Sequence, residues 1–283
     1  MRRLGVVVKP DAAEAGGALR TLAEWARRRG LSLLVEKEAA DLVPELHLPT
    51  ARRPELPTQS DLLIVLGGDG TLLSVARVVG ELGIPIVGVN LGDLGFLTAT
   101  TLHEMVPALE ALLRGEMVVE ERMMLAARVR RGGHVVGEWL ALNDVVITKA
   151  AVSRIINLSV SIEDQHAIAY RADGLIVSTP TGSTAYSLSA GGPILYPTMD
   201  GIVVTPICSH TLTNRPVVVP GTHRVTITLL TPQEVMMTVD GQLGFGLRED
   251  DVVEVGRAPS TIRLVRFKDF FSVLRTKLKW GER

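Results

Sequence analysis

The first hundred residues alternate short apolar runs with segments of helical periodicity. The apolar runs, which we interpret as buried strands, lie at residues 6–8, 31–35, 62–66 and 84–89. Residues 18–29 carry apolar side chains at helical spacing and stop at Gly30, and residues 72–79 repeat that spacing after the third run. This alternation is typical of a parallel sheet covered by helices on both faces, in which ligands bind beyond the carboxyl ends of the strands.

The pattern changes after a short helix predicted at residues 104–114. Strand-like runs then follow at residues 118–130, 135–148, 155–162, 168–170, 175–178, 202–206, 224–230, 234–239 and 252–255. Helical spacing returns only at residues 270–279. We therefore expect an α/β plus all-β chain. Its parts are a Rossmann-like α/β domain at residues 1–100, a β-rich domain at 101–265, and a segment at 266–283 that returns to the first domain.

Composition narrows the classes of function. The 283-residue chain is 46% hydrophobic, which is enough for a large aliphatic core. Its formal net charge is -1, whereas nucleic-acid-binding proteins usually carry an excess of positive charge. Cys208 is the single cysteine, which excludes a disulfide framework and a cysteine zinc cluster. The apolar stretch after the basic start is too short for a signal peptide, and no segment approaches the roughly 18 apolar residues of a membrane helix. We expect a soluble, cytoplasmic protein that binds neither membranes nor nucleic acids.

The sequence Gly67-Gly68-Asp69-Gly70-Thr71 follows the strand at residues 62–66 and precedes a helix. Glycines let the backbone approach a ligand closely, and a helix N-terminus favours phosphate. An acid at that position repels phosphate unless it holds a metal or takes a proton from an attacking hydroxyl group. The loop therefore predicts phosphoryl transfer, although the same residues also make an ordinary turn with a helix cap.

Two clusters in the β-rich part also carry chemistry. Asn143-Asp144 places an amide beside a carboxylate, a pair that can grip the vicinal hydroxyl groups of a ribose. Seven of the ten residues from 178 to 187 carry hydroxyl groups, which can hold a nucleobase edge or phosphates. The alternative interpretations are a polar strand end for the first cluster and a helix-capping loop for the second.

These motifs together resemble the NAD kinases over nearly the whole chain. The matching segments, in chain order, are Gly67 to Thr71, Asn90-Leu91-Gly92 through Gly95-Phe96-Leu97, Asn143-Asp144, Asp173-Gly174, Thr179 to Ser189, and Asp240-Gly241-Gln242. The glycine-aspartate motif alone is shared with 6-phosphofructokinases and with diacylglycerol and sphingosine kinases. The hydroxyl-rich string combined with Asn143-Asp144 is the stronger signal for the NAD kinases.

The resemblance implies transfer of the γ-phosphoryl group of ATP to the 2′-hydroxyl group of the adenosine ribose of NAD, giving NADP. Asp69 matches the proton acceptor, and Gly67, Gly68 and Thr71 match the loop that faces the phosphate donor. The expected cofactor is Mg²⁺ or another divalent cation carried by the donor, which is ATP or polyphosphate. The family commonly forms homodimers or homotetramers.

The resemblance also implies a set of substrate contacts. Asn143 and Asp144 match residues that hold the ribose hydroxyl groups, and residues 184–189 match the stretch around the adenine. Arg171, Asp173 and their neighbours match further contacts, with Asp173 reaching the site of a neighbouring subunit. The full set of expected substrate-binding residues is Gly70, Asn143, Asp144, Arg154, Arg171, Asp173, Thr184, Ala185, Tyr186, Ser187, Leu188, Ser189 and Gln242.

Three other functions stay open on the residues alone. A lipid kinase would use a membrane-binding surface, for which the basic stretch at residues 267–279 is the candidate. A sugar-phosphate kinase would need a basic cluster to bind the phosphate group of its acceptor. A non-catalytic NAD-sensing module would keep Asn143 but could dispense with Asp69, so the presence of that acid argues for an enzyme.

Overall fold

The computed structural model describes residues 2–149, 155–163, 165–211, 213–232 and 234–279. It divides into two compact units. The α/β unit comprises residues 1–121 and 262–283, and the β unit comprises residues 122–261. The chain enters the β unit within one long strand and leaves it within another.

The strands are β1 Arg3–Val8, β2 Ser32–Glu36, β3 Thr50–Ala51, β4 Leu62–Leu66, β5 Ile86–Asn90, β6 Thr100–Thr101, β7 Val118–Arg131, β8 His134–Ala141, β9 Asp144–Lys149, β10 Ile156–Ile162, β11 Gln165–Ala172, β12 Gly174–Ser178, β13 Gly201–Ile207, β14 Val217–Pro220, β15 Val225–Leu229, β16 Val235–Val239, β17 Leu243–Leu247 and β18 Val252–Arg266. The helices are α1 Ala15–Arg28, α2 Lys37–Ala40, α3 Asp69–Val79, α4 Met105–Arg114, α5 Tyr186–Ser189 and α6 Phe270–Leu278. Single turns of 3-10 helix lie at Pro44–Leu46, Arg53–Glu55, Pro57–Gln59, Gly80–Leu82, Leu102–Glu104 and Gly182–Thr184.

The α/β unit is built on a parallel sheet in the order β5-β4-β1-β2-β3. Every residue of β4 is buried, because a strand covered on both faces must be apolar throughout. Helices α1 and α4 bury their apolar stripes against one face of the sheet. Helix α3 lies on the other face, where Leu72 occupies the space that a side chain at Gly88 would need. The predicted parallel sheet with helices on both faces is confirmed.

The β unit contains two antiparallel sheets. One runs β11-β10-β15-β18 and extends through β7 to β8, and the other runs β14-β13-β12-β9-β16-β17. One apolar cluster draws on both sheets, for example on Leu158 and Ile227 of the first and on Val177 and Met237 of the second. The two sheets therefore pack face to face around a shared core. The predicted β-rich domain is confirmed.

The elements differ from the expected ones where the hydrophobic pattern is weak. The run at residues 135–148 is two strands, β8 and β9, because the chain turns at Leu142 and Asn143. Strand β17 was not expected, since its two glycines weaken the strand signal, and it forms as the partner of β16. Strand β18 continues to Arg266, far beyond residue 255, because its later residues pair with the parallel sheet through Leu264 and Val265.

The unit boundaries also differ from the expected domain limits at residues 100 and 265. Residues 101–121 belong to the α/β unit, because Met105, Leu109 and Leu112 of α4 are part of its core. The carboxyl-terminal segment lies in the same unit, where Lys268 Nζ contacts Glu104 Oε2 at 2.8 Å. Among the described helices, none is long and apolar enough to cross a membrane.

Candidate functional site

The glycine loop lies where β4 meets α3, at the carboxyl edge of the parallel sheet. Strand pairing continues to Gly67, whose amide donates to the Val89 carbonyl at 2.9 Å. A Cβ at Gly67 would come within 2.7 Å of Thr71 Oγ1, so a larger residue there would force Thr71 to move. Gly68 faces open space, with nothing within 4 Å of a Cβ built on it. The loop therefore leaves room for a ligand beside its backbone.

The Asp69 side chain is held by the turn that follows β5. Its Oδ1 accepts hydrogen bonds from the amides of Leu97 at 3.1 Å and Thr98 at 2.9 Å, and from the Thr98 hydroxyl at 2.9 Å. Its Oδ2 accepts one from the Phe96 amide at 2.9 Å. A Cβ at Gly95 would lie 2.0 Å from Oδ1, so the turn can close around the carboxylate only with glycine there. The two glycine-bearing turns of the sequence thus meet at one half-buried carboxylate.

Lys9 is a candidate that the sequence reasoning missed. The glycine loop itself contains no lysine, but Lys9 follows β1, the strand beside β4. The Lys9 amide donates to the Leu66 carbonyl at 2.8 Å, and its Cβ lies 3.1 Å from the position of a Cβ at Gly67. Its side chain is exposed. The sequence did show that Lys9 directly follows a predicted strand. Its closeness to the glycine loop could be inferred only once the strand order was known.

In the β unit, Asn143 and Asp144 lie in a turn that is organised by Asp240. The Asp240 carboxylate accepts the amides of Leu142 at 3.2 Å, Asn143 at 2.8 Å and Asp144 at 3.2 Å. Asp240 itself adopts a left-handed backbone with φ 50°, which the following Gly241 continues. The sequence singled out the Asp-Gly-Gln motif but assigned a role only to Gln242, so the support that Asp240 gives to this turn was missed.

Asp144 has an unusual electrostatic environment. Its side chain is buried at the start of β9, and Asp240 lies close by. Burial, together with the negative charge of Asp240, raises the pKa of Asp144 from 3.8 to about 7. A carboxyl group with this pKa exchanges its proton near neutral pH and can donate as well as accept a hydrogen bond.

The hydroxyl-rich segment is fastened to the same turn. The Thr179 amide donates to the Asn143 carbonyl at 2.9 Å, and the Thr179 hydroxyl donates to the Leu142 carbonyl at 2.6 Å. A Cβ at Gly182 would lie 2.1 Å from the Asn143 carbonyl oxygen. That oxygen belongs to the backbone and cannot move aside, so the close approach of the two segments depends on glycine.

Several of the hydroxyl groups expected to hold a ligand are used inside the β unit. Ser183 Oγ donates to the Pro180 carbonyl at 2.6 Å, and Ser187 Oγ lies 2.9 Å from Thr205 Oγ1. Ser183 and Ser187 are fully buried. The side chains left at the surface are those of Tyr186 and Ser189, with Thr184 partly buried. Some of the hydroxyl groups in this segment therefore stabilise the loop itself and are not available to a ligand.

Arg171 and Asp173 lie apart from the Asn143 turn. In the pairing of β9 with β12, Asp144 lies opposite Ser178, whereas Gly174, next to Asp173, lies opposite Thr148. Four residues of strand, about 13 Å, separate the two ends. At the far end Asp173 Oδ1 contacts Lys149 Nζ at 2.8 Å.

Two further expected residues are Gln242 and Arg154. Gln242 is exposed in the turn after β16, where its backbone amide donates to the Val239 carbonyl at 3.0 Å. Arg154 lies outside the described residues. Within the described part of the chain, no group of three or more histidine, cysteine, aspartate or glutamate side chains is arranged to hold a metal ion.

Comparisons with known proteins cover both units. The family described as ATP-NAD kinase N-terminal domain matches residues 4–117, and the ATP-NAD kinase C-terminal domain matches residues 142–267. The chain is 51% identical to the NAD kinase of Geotalea daltonii over 286 residues, covering 100% of each chain. It is 48% identical to the NAD kinase of Geobacter metallireducens, again over 100% of each.

Two solved structures resemble the chain. The yeast NADH kinase, complexed with NADH, has a TM-score of 0.93 at 25% identity, covering 100% of this chain and 89% of that one. An NAD kinase from Archaeoglobus fulgidus, in complex with ATP, has a TM-score of 0.80 at 22% identity, with 98% of each chain covered. The second likeness concerns the fold alone.

Proposed function

Because the chain belongs to the NAD kinase family and is an enzyme of that family, we propose that it phosphorylates the 2′-hydroxyl group of the adenosine ribose of NAD. The donor is ATP and the product is NADP. The observation that carries the proposal is the Asp69 carboxylate, held by four hydrogen bonds beside a glycine loop that opens a helix. A fixed acid beside a loop with open space at Gly68 suits an acceptor hydroxyl group.

Asp69 acts as the proton acceptor in this proposal. As the ribose oxygen attacks the γ-phosphorus atom, its proton passes to the carboxylate. Proton acceptance by a positioned side chain contributes roughly 10²–10⁴-fold to a rate. The rest of the acceleration comes from alignment of donor and acceptor and from the charge placed around the phosphoryl group.

The donor phosphates would lie against Gly67, Gly68 and Thr71, at the N-terminus of the eleven-residue helix α3. The Lys9 side chain, which starts beside Gly67, supplies a cation there. The glycine loop itself contains no lysine to balance the charge of the donor phosphates. We therefore treat the divalent cation as part of the MgATP substrate, where it neutralises phosphate charge.

The acceptor would bind to the β unit. Asn143 and Asp144 would hold the ribose hydroxyl groups, with the turn fixed by Asp240 and Thr179. The adenine would lie against Tyr186 and its exposed neighbours, and the buried Ser187 would contribute only through its backbone. Contacts from Gly70, Arg154, Arg171, Asp173 and Gln242, a homodimer or homotetramer, and a cytoplasmic location stay predictions.

The test is NADP formation from NAD and MgATP, coupled to an NADP-specific dehydrogenase, with Asp69→Asn measured alongside. We expect the variant to lose at least about a hundredfold in kcat, while its affinity for NAD by calorimetry changes little. Asp93→Asn, which alters an exposed carboxylate in the next turn, is the matched control and should behave as the unaltered protein.

Other outcomes distinguish the alternatives. Saturable NAD binding without any product would favour a phosphate donor other than ATP, such as polyphosphate. Neither binding nor product would favour a lipid or sugar kinase as the function of the glycine-aspartate loop. An Asp69→Asn protein with full activity would refute the role of Asp69 while leaving the reaction in place.

A further inference from the structure

The two oxygens of Asp69 are not equivalent. Oδ1 accepts three hydrogen bonds, two from the amides of Leu97 and Thr98 and one from the Thr98 hydroxyl group. From the residues that the structure describes, Oδ2 accepts one, from the Phe96 amide. A carboxylate oxygen has about two lone-pair sites, so Oδ1 is saturated and Oδ2 keeps one site free.

The Thr98 hydroxyl is itself fixed from behind. Asn90 Nδ2 donates to Thr98 Oγ1 at 2.9 Å, so the hydroxyl proton must point away from Asn90 and toward Asp69. Asn90 is fixed in turn, because its Oδ1 accepts the Gly92 amide at 2.6 Å. Thr98 is 0% exposed and Asn90 is 4% exposed, so water does not compete for these bonds.

This arrangement matters because a carboxylate is poorly restrained by its own torsion. Rotation about the last side-chain bond of aspartate is soft and nearly two-fold symmetric. Which of the two oxygens faces the turn at residues 96–98 is therefore determined by the neighbouring groups. The chain Asn90–Thr98–Asp69 provides that order through two buried side chains, those of Asn90 and Thr98.

We propose that Thr98, oriented by Asn90, is a positioning residue that saturates Oδ1 of Asp69 and reserves Oδ2 as the atom that accepts the proton of the attacking hydroxyl group. The inference rests on the proposed role of Asp69 and specifies its geometry. In the step, the O–H bond of the 2′-hydroxyl group breaks and its proton goes to Oδ2. The ribose oxygen forms a bond to the γ-phosphorus atom, and the bond to the bridging oxygen breaks with its electron pair leaving on ADP.

The test compares Thr98→Val, which keeps the shape but lacks the hydroxyl group, with Thr98→Ser, which keeps the hydroxyl group. We expect Thr98→Val to lower kcat about tenfold, because the variant loses a hydrogen bond to the charged carboxylate that accepts the proton. The KM values for NAD and ATP should change little, because the lost hydrogen bond is to Asp69 and not to a substrate. Thr98→Ser should recover most of the rate. Thr100→Val alters another buried threonine, one that is not among the hydrogen-bond partners of Asp69, and should be as active as the unaltered protein.

Each result decides the matter. An unchanged kcat in a folded Thr98→Val protein would overturn the proposal, as would a raised KM at constant kcat. A Thr98→Ser protein as slow as Thr98→Val, with an unaltered melting temperature, would also overturn it. Loss of activity in Asp69→Asn upholds the role of Asp69 whatever the Thr98 variants do, so failure here is distinguishable from failure of the proposed function.

Discussion

Asp144 should make the stability of the protein depend on pH, and replacement by asparagine should remove that dependence. The Asp144 side chain is buried beside Asp240, and its pKa is raised from 3.8 to about 7 by burial and by that neighbouring charge. An asparagine side chain has nearly the same shape and no charge, so Asp144→Asn isolates the titration from the packing.

The size of the effect follows from the two pKa values. The folded protein binds the Asp144 proton more tightly than the unfolded chain does, so the free energy of unfolding falls as the pH rises from about 4 to about 7. Below this window the carboxyl group is neutral in both states and costs nothing. Above it the full cost of burying the charge is present, about 4 kcal/mol at 1.36 kcal/mol for each pKa unit.

The assay is urea unfolding of both proteins without substrates, at intervals from pH 5 to pH 8. We expect the free energy of unfolding of Asp144→Asn, relative to the unaltered protein, to increase by up to about 3 kcal/mol across this range. The difference between the two proteins is the quantity to follow, because every other titrating group is common to both.

Asp250→Asn is the control. Asp250 is exposed in the same unit and has φ 64°, a backbone conformation that asparagine also tolerates. Its difference from the unaltered protein at each pH is the baseline for the effect of replacing an exposed aspartate. A pH-independent difference for Asp144→Asn would refute the reasoning, since it would mean that Asp144 is ionised equally in the folded and unfolded chains.

Three further predictions concern activity. Lys9→Met should raise the KM for ATP about tenfold with the melting temperature unchanged, and an unaltered KM would remove Lys9 from the donor site. Gly95→Ala should abolish NADP formation, because its methyl group would lie 2.0 Å from Asp69 Oδ1, whereas Gly17→Ala, in open space on α1, should have no effect on the rate. Asn143→Ala should raise the KM for NAD at nearly constant kcat, and a fall in kcat alone would contradict a role in ground-state binding.

Local patterns determined most of the elements and predicted the chemical type of the site. The run Leu62–Leu66 with its following glycines predicted β4, the loop and α3 closely, because a buried strand, a tight turn and a helix start each depend on neighbouring residues. Asp69 and Asn143 were likewise identified from short motifs. Where the local pattern was diluted by glycine, as in β17, the strand was missed.

The tertiary structure decided which groups support those residues. The Phe96 amide that holds Asp69 is 27 positions away in the sequence, and the Asp240 carboxylate that organises Asn143 is 97 positions away. Lys9 reaches the glycine loop only because β1 lies beside β4. The sequence shows which hydroxyl groups and carboxylates exist. Whether each forms a hydrogen bond within the protein or stays accessible to a ligand depends on strand order and burial. Those arise from the packing of the whole chain, since a buried polar group must find its partner wherever the fold places one.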